Sequence, residues 1–167
     1  MEAVAARSGI TKPTLYRRWP SKAALVADAF TAGLSVPEAS PARGPLTDSG
    51  DIARDLNEWF DAFVGIAADS RNAALIRAMI AAAGENQDEA EPFFQLLIGP
   101  SREHLNARLH AADAAGQLRP NLDFEALIDM LFGSVLVQVF TGRADTAPRR
   151  ARALLEIVLH GACADRP

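Results

Sequence analysis

The chain has 167 residues, 49% of them apolar and 23% charged, with a net charge of −4 and one cysteine. That length holds one good core or two small ones, and the balance is that of a soluble globular protein. A lone Cys163 excludes an intrachain disulfide and reads as a small apolar residue of a reduced, cytoplasmic protein. The first residues lack the basic and apolar regions of a secretory signal, and the apolar run 127–140 is too short to span a bilayer.

Charge is unevenly distributed. Residues 1–30 carry Arg7, Lys12, Arg17, Arg18 and Lys22 against Glu2 and Asp28, a net +3 that leaves −7 for the remainder. A basic head on an acidic body fits local phosphate contact, with the body repelled from nucleic acid. The same thirty residues predict helix, tight turn, helix, second turn, helix. Gly9 can take the positive φ that ends a helix sharply, and Ala5 is small enough for a second helix to cross over it. Thr11 can cap the next helix, and Pro13 fits only its first turn. Leu15 and Trp19, about one turn apart, should point inward, whereas Lys12, Pro13, Tyr16 and Arg17 should point outward. This is the grammar of a helix-turn-helix whose second helix enters a DNA major groove. The candidate DNA-contacting residues are Thr11, Lys12, Pro13, Thr14, Tyr16, Arg17, Arg18 and Lys22. Ser21 can cap a third helix, Lys22 to Phe30, which places Lys22 where free backbone N–H groups also favour a phosphate.

The run Val4-Ala-Ala-Arg-Ser-Gly-Ile-Thr-Lys-Pro-Thr-Leu-Tyr-Arg-Arg-Trp-Pro-Ser-Lys-Ala-Ala-Leu25 resembles the DNA-binding signature of TetR-type transcriptional regulators. The likeness rests on the small residue and Gly of the turn, Thr-Leu-Tyr in the recognition helix, an aromatic, and then Ser-Lys-x-x-Leu. It implies an all-α homodimer in which each subunit joins a small DNA-binding head to a larger ligand-sensing, dimerising body. Members of that family usually carry a further amphipathic helix ahead of the helix-turn-helix. The resemblance therefore predicts an incomplete, N-terminally truncated head, in which Val4, Ile10, Leu15, Trp19 and Leu25 lack part of their cover. A helical sensor or dimerisation module not competent for DNA binding is the alternative reading.

Residues 33–50 hold three prolines and three glycines and predict a linker between a partial helix-turn-helix domain at 1–32 and a helical domain at 51–167. The body reads as helices throughout. Asp51 to Ala68 sets Ile52, Leu56, Trp59, Phe60 and Phe63 at helical spacing. Ser70 is the expected cap of a helix from Arg71 to Gly84, and a turn follows at 85–88. Glu89 to Ile98 predicts a helix, with a break or strong kink at Gly99-Pro100, because proline cannot donate the helix hydrogen bond. Ser101 to Ala115 continues as helix and ends at Gly116. Asp123 is the expected cap of a helix from Phe124 to Thr141, and a last helix runs from Arg149 to Cys163. No segment alternates with the period of a strand.

The helix at 124–141 is apolar on more than one face, which implies burial on two sides. In the family such a helix pairs with the last one to meet a symmetry mate as a four-helix bundle. The expected dimer contacts are Leu127, Leu131, Val135, Leu154, Ile157, Val158 and Gly161. The resemblance also implies an effector cavity among the body helices, the usual place for a ligand site in a bundle. Its expected lining is Trp59, Phe60, Phe63, Met79, Phe93, Phe94, Leu97 and Phe132, with His104, Arg108 and Gln138 orienting a polar group. The implied effector is apolar or amphipathic, and its binding releases a repressor from a near-palindromic operator. The chain has no Glu-x-x-His pair, no Gly-rich phosphate loop and no Gly-x-Ser-x-Gly. Neither a catalytic residue, a metal site nor a cofactor is expected.

Overall fold

The computed structural model describes residues 2–37, 40–85 and 90–162. In chain order these form α1 (Glu2–Ser8), α2 (Lys12–Arg18), α3 (Lys22–Gly33), α4 (Ile52–Ala68), α5 (Ser70–Glu85), α6 (Ala90–Ala114), α7 (Phe124–Phe140) and α8 (Ala147–Ala162). Short 3-10 turns occupy Pro41–Arg43 and Ala144–Thr146. Among the described residues there is no strand, so the protein is all-α, a helix-turn-helix head on a helical body.

Local chemistry sets most helix ends. Thr11 accepts from the Thr14 N–H, Ser21 from the Ala24 N–H and Asp123 from the Ala126 N–H. Asp51 caps α4, accepting from Ala53 and Arg54. Each occupies one of the orphan donors of a helix start. Gly9 has φ +71°, which lets α1 stop with only Gly9 and Ile10 between it and the next cap. The cap of α5 differs from expectation. Asp69, not Ser70, receives the Arg71 and Asn72 N–H groups at 3.0 Å, and Ser70 is the first helical residue. Aspartate accepts as an anion, a stronger cap than a hydroxyl beside it.

Helix α6 runs through Pro100 without a break. One carbonyl, that of Leu96, loses its donor there. Burial of Ile98, Leu105 and Leu109 holds both halves against the core and outweighs that loss. The turn expected at 85–88 falls mostly outside the described residues, as does Cys163.

The core lies in the body. Trp59 and Phe60 of α4, Phe132 and Leu131 of α7, Leu105 and Leu109 of α6 and Leu155 of α8 are all essentially sealed from solvent. Trp59 stacks on Phe63 at 5.3 Å between centroids, and Phe132 meets both rings edge-on at 5.9 and 4.9 Å. The Trp59 indole N–H has no acceptor among the described residues, so that ring stabilises through apolar and aromatic contact alone.

A buried ion pair pins the start of α4 to α6. Arg108 Nε donates to Asp55 Oδ2 at 2.8 Å, and its Nη2 lies 2.7 Å from the same oxygen and 3.1 Å from Asp48. Ser49 Oγ adds a 2.5 Å hydrogen bond to the other Asp55 oxygen. Burial pushes the Asp55 carboxyl up, but the Ser49 and Arg108 hydrogen bonds outweigh it and hold the group below its ordinary value.

Candidate nucleic-acid interface and effector groove

In the head, Leu15 is buried and Trp19 partly so, with its Nε1 donating to Asp28 Oδ2 at 3.0 Å. That anchor fixes the roll of α2. The opposite face is left to solvent: Thr11, Lys12, Pro13, Thr14, Tyr16, Arg17 and Arg18 are all exposed, and Lys22 at the start of α3 is exposed beside them. Lys12 is ion-paired with Glu2, and Arg18 lies 4.9 Å over the Trp19 ring. Arg17 has no ion-pair partner among the described residues. Together these side chains present cations, hydroxyls and a phenol on one face, the inventory that contacts phosphates and base edges. Val4 and Ile10 of the head are exposed apolar residues, whereas Leu15 is covered at 1% exposure.

An apolar groove of about 340 Å³ lies where α3 meets the body. Phe30 and Thr31 of α3, with Leu34, Val36 and Ala42 of the following segment, form one wall. Phe63 and Ile66 of α4 and Leu96, Leu97, Pro100 and Ser101 of α6 form the other. Among the described residues no ionisable side chain lines it. The turn of α6 that faces it contains Pro100 and the Leu96 carbonyl that Pro100 deprives of a donor.

Of the residues expected to hold an effector, Phe63 and Leu97 alone line this groove among the described side chains. Trp59, Phe60, Phe132 and Met79 are packed into the core at 2% exposure or less. Phe94 is partly buried under Arg102, whose guanidinium carbon lies 5.8 Å from its ring and which pairs with Glu125 and Asp129. The Phe93 side chain lies outside the described residues. His104 is partly buried and outside the groove. Arg108 is taken up by Asp55 and Asp48, and Gln138 accepts from Thr146 Oγ1 at 3.4 Å. Those two serve the fold, because a buried guanidinium or amide must be matched wherever it sits. Sequence reasoning missed Phe30, Leu34, Val36, Ile66 and Leu96. The one signal available for that wall was Pro100.

The expected dimer contacts divide in the same way. Leu127, Leu131, Val135 and Val158 are buried within the subunit as members of its own core. An apolar period on all faces of α7 left its inward side undetermined. Ile157, at 71% exposed, and Gly161 face solvent, and Leu154 is half-buried. Beside them α7 exposes Met130, Val137 and Phe140. Between α7 and α8 lies a trough of about 460 Å³ floored by Gly133, Ser134 and Leu154, with Asp129 and Arg150 among its lining.

Among the described residues no helix is long and apolar enough to cross a membrane, and no group of His, Cys, Asp and Glu side chains is placed to hold a metal. A basic helix-turn-helix head on an all-α body defines a helix-turn-helix transcription regulator. Residues 46–158 match the family described as tetracyclin repressor-like, C-terminal domain, and residues 1–29 match bacterial regulatory proteins, tetR family. The chain belongs to the TetR family, whose members regulate transcription, bind operator DNA and act as dimers. The uncharacterized HTH-type transcriptional regulator YdeS of Bacillus subtilis (strain 168) is 28% identical over 144 residues, covering 83% of this chain and 67% of its own. The uncharacterized HTH-type transcriptional regulator Mb1581 of Mycobacterium bovis is 28% identical over 159 residues, covering 95% and 75%. The solved structure of the TetR family transcription regulator SCO0332 superposes with a TM-score of 0.65 at 30% identity, covering 98% of this chain and 86% of that one.

Proposed function

We propose that this regulator is an effector-released repressor acting in the cytoplasm as a homodimer on a near-palindromic operator. The α2 face from Thr11 to Arg18 reads the major groove, with Lys22 at the capped start of α3 on a backbone phosphate. Met130, Val137, Phe140, Leu154, Ile157 and Gly161 of α7 and α8 form the dimer contact. The effector is apolar or amphipathic and binds in the groove between α3, α4 and α6.

The observation that carries this reading is the composition of that groove's wall. Phe30 and Thr31 belong to α3, the helix continuous with the head. A ligand there touches the DNA-reading unit directly, and it changes operator affinity only through its differential affinity for two head positions. Filling the groove with Leu97→Trp tests it. The variant should retain dimer and operator binding and lose every ligand-dependent release, read by gel shift against the promoter DNA that the wild type retains. Release unchanged in Leu97→Trp would move the effector elsewhere.

A further inference from the structure

The segment that leaves α3 runs between two hollows and alternates its side chains between them. Leu34 and Val36 line the apolar groove, whereas Ser35 and Pro37 line a second hollow of about 440 Å³ at the α4–α5 corner. That alternation is the geometry of extended chain. Between the hollows the segment is gripped by one side chain. The Ser35 N–H donates to Asn72 Oδ1 at 2.9 Å, and the Ser35 carbonyl accepts from Asn72 Nδ2 at 2.8 Å.

Asn72 is completely buried. Its Nδ2 also donates to the Ile66 carbonyl at 2.9 Å, one of the last-turn carbonyls of α4 that has no helical donor. Its own N–H rests on Asp69. A buried amide needs partners, and the α4–α5 corner could supply them locally. This one instead reaches back 37 residues to both backbone groups of a single residue, two positions beyond the end of α3. Around it, α3 is seated tightly on α5. A Cβ at Gly33 would stand 3.0 Å from Leu75 Cδ1, which leaves little room to shift without sliding.

We propose that Asn72 is a latch that couples the groove to the head. It holds the exit of α3 against the α4–α5 corner, and a groove occupant moves the head by driving Leu34 and Val36 against the Asn72–Ser35 pair. This rests on the groove being the effector site. Coupling between the two is reciprocal: weakening the latch makes the groove easier to fill, and filling the groove loosens the latch.

Two variants separate the latch from the fold. Asn72→Ala removes all three side-chain bonds. Ser35→Pro removes the Ser35 N–H, together with the hydroxyl, and leaves Asn72 Nδ2 to serve the carbonyls of residue 35 and Ile66. Leu34 already has ψ 120°, the region that a following proline requires. The probe is decan-1-ol, an apolar chain with one hydroxyl. Its binding is read by tryptophan fluorescence, because Phe63 both lines the groove and stacks on Trp59. Hydrogen exchange of residues 30–37 reads the latch. Exchange there should rise on the order of tenfold in both variants, decan-1-ol should bind several-fold more tightly to both, and decan-1-ol should accelerate the same amides in the wild type. Unchanged decan-1-ol affinity in Ser35→Pro, with exchange released, would overturn the latch and leave the groove standing. Decan-1-ol binding to neither wild type nor variant would overturn the groove, and the latch with it.

Discussion

The head and the body are held by contacts of different range. From α1 to the first turns of α3 the fixing interactions are short: Thr11 to Thr14, Ser21 to Ala24, Ser8 to Val4, and Trp19 to Asp28 nine residues on. In the body they are long. Arg108 reaches Asp55 across 53 residues, Gln117 accepts from the Ile52 N–H across 65, and Arg152 reaches Asp61 across 91. The head buries few apolar side chains of its own, chiefly Ala5 and Leu15, whereas Phe30 at the end of α3 joins the core of the body. A unit built from local contacts is recognisable from its sequence and weak by itself. One built from distant contacts is strong and hard to read.

The largest effect should come from breaking the longest-range buried contact. Arg108→Ala leaves the Asp55 carboxylate sealed from water without its counter-charge, and should cost about 3–5 kcal/mol in urea unfolding followed by Trp59 fluorescence. Replacing both partners, Arg108→Met with Asp55→Leu, should recover most of that, because the desolvation cost goes with the charges. A single variant as stable as wild type would show that the pair contributes nothing. The sign of the pH dependence follows from the depressed Asp55 value. The contribution is fully present above the ordinary carboxylate range, about 4, and is lost as pH falls through the lower folded value. The wild type should therefore lose more stability than the double variant below about pH 4, seen in paired acid titrations.

A smaller and more confined effect is expected in the head. Leu15→Ala removes its most buried large side chain, a change that costs roughly 2–5 kcal/mol in a full core. Here the loss should appear as faster hydrogen exchange in α1 and α2, with the thermal transition of the body unmoved. Equal destabilisation of both parts would erase the contrast and make the chain a single cooperative unit.

How legible each region was follows from the same contrast. Thr11, Ser21, Gly9, Leu15 and the outward α2 face could be placed because each acts within about one turn of its own position. The helices of the body could be read from periodicity, except that the one helix α6 read as two stretches divided at Pro100, where tertiary packing of Ile98 and Leu105 overrode the proline. Arg108 read as a polar ligand contact because nothing near it in sequence names Asp55. Leu127, Leu131 and Val135 read as interface because α7 is apolar all round, and a pattern without a polar side cannot show which side faces in. Asn72 carries no sequence signal. Only the fold places it beside Ser35.

The exposed face that remains on α7 and α8 gives an effect that should be absent from the protomer and present in the assembly. Ile157→Asp lies on a residue 71% exposed, so it should leave the protomer's fold intact. In a dimer it would bury a charge against its mate, and light scattering at micromolar concentration should show monomer for the variant and dimer for the wild type. A dimer surviving Ile157→Asp would place the contact elsewhere on the surface.

The smallest effects should separate two cations of the head. Lys22 sits at the capped start of α3, where it adds to the free N–H groups that favour a phosphate. A phosphate contact carries no sequence information, so Lys22→Ala should weaken binding about equally on every duplex and lower the slope of log affinity against log salt by about one counterion. Arg17 projects from the exposed face of α2, nearly two turns beyond the Thr11 cap, and has no ion-pair partner among the described residues. If it reads a base edge, Arg17→Ala should change the preference among operator variants by about 1–3 kcal/mol at one position, through loss of a paired contact rather than a counterion. Titrating both variants on specific and scrambled duplexes at several salt concentrations distinguishes the roles. Equal losses on both duplexes for Arg17→Ala would make it a second phosphate contact. No loss in either variant would remove this face from the interface altogether.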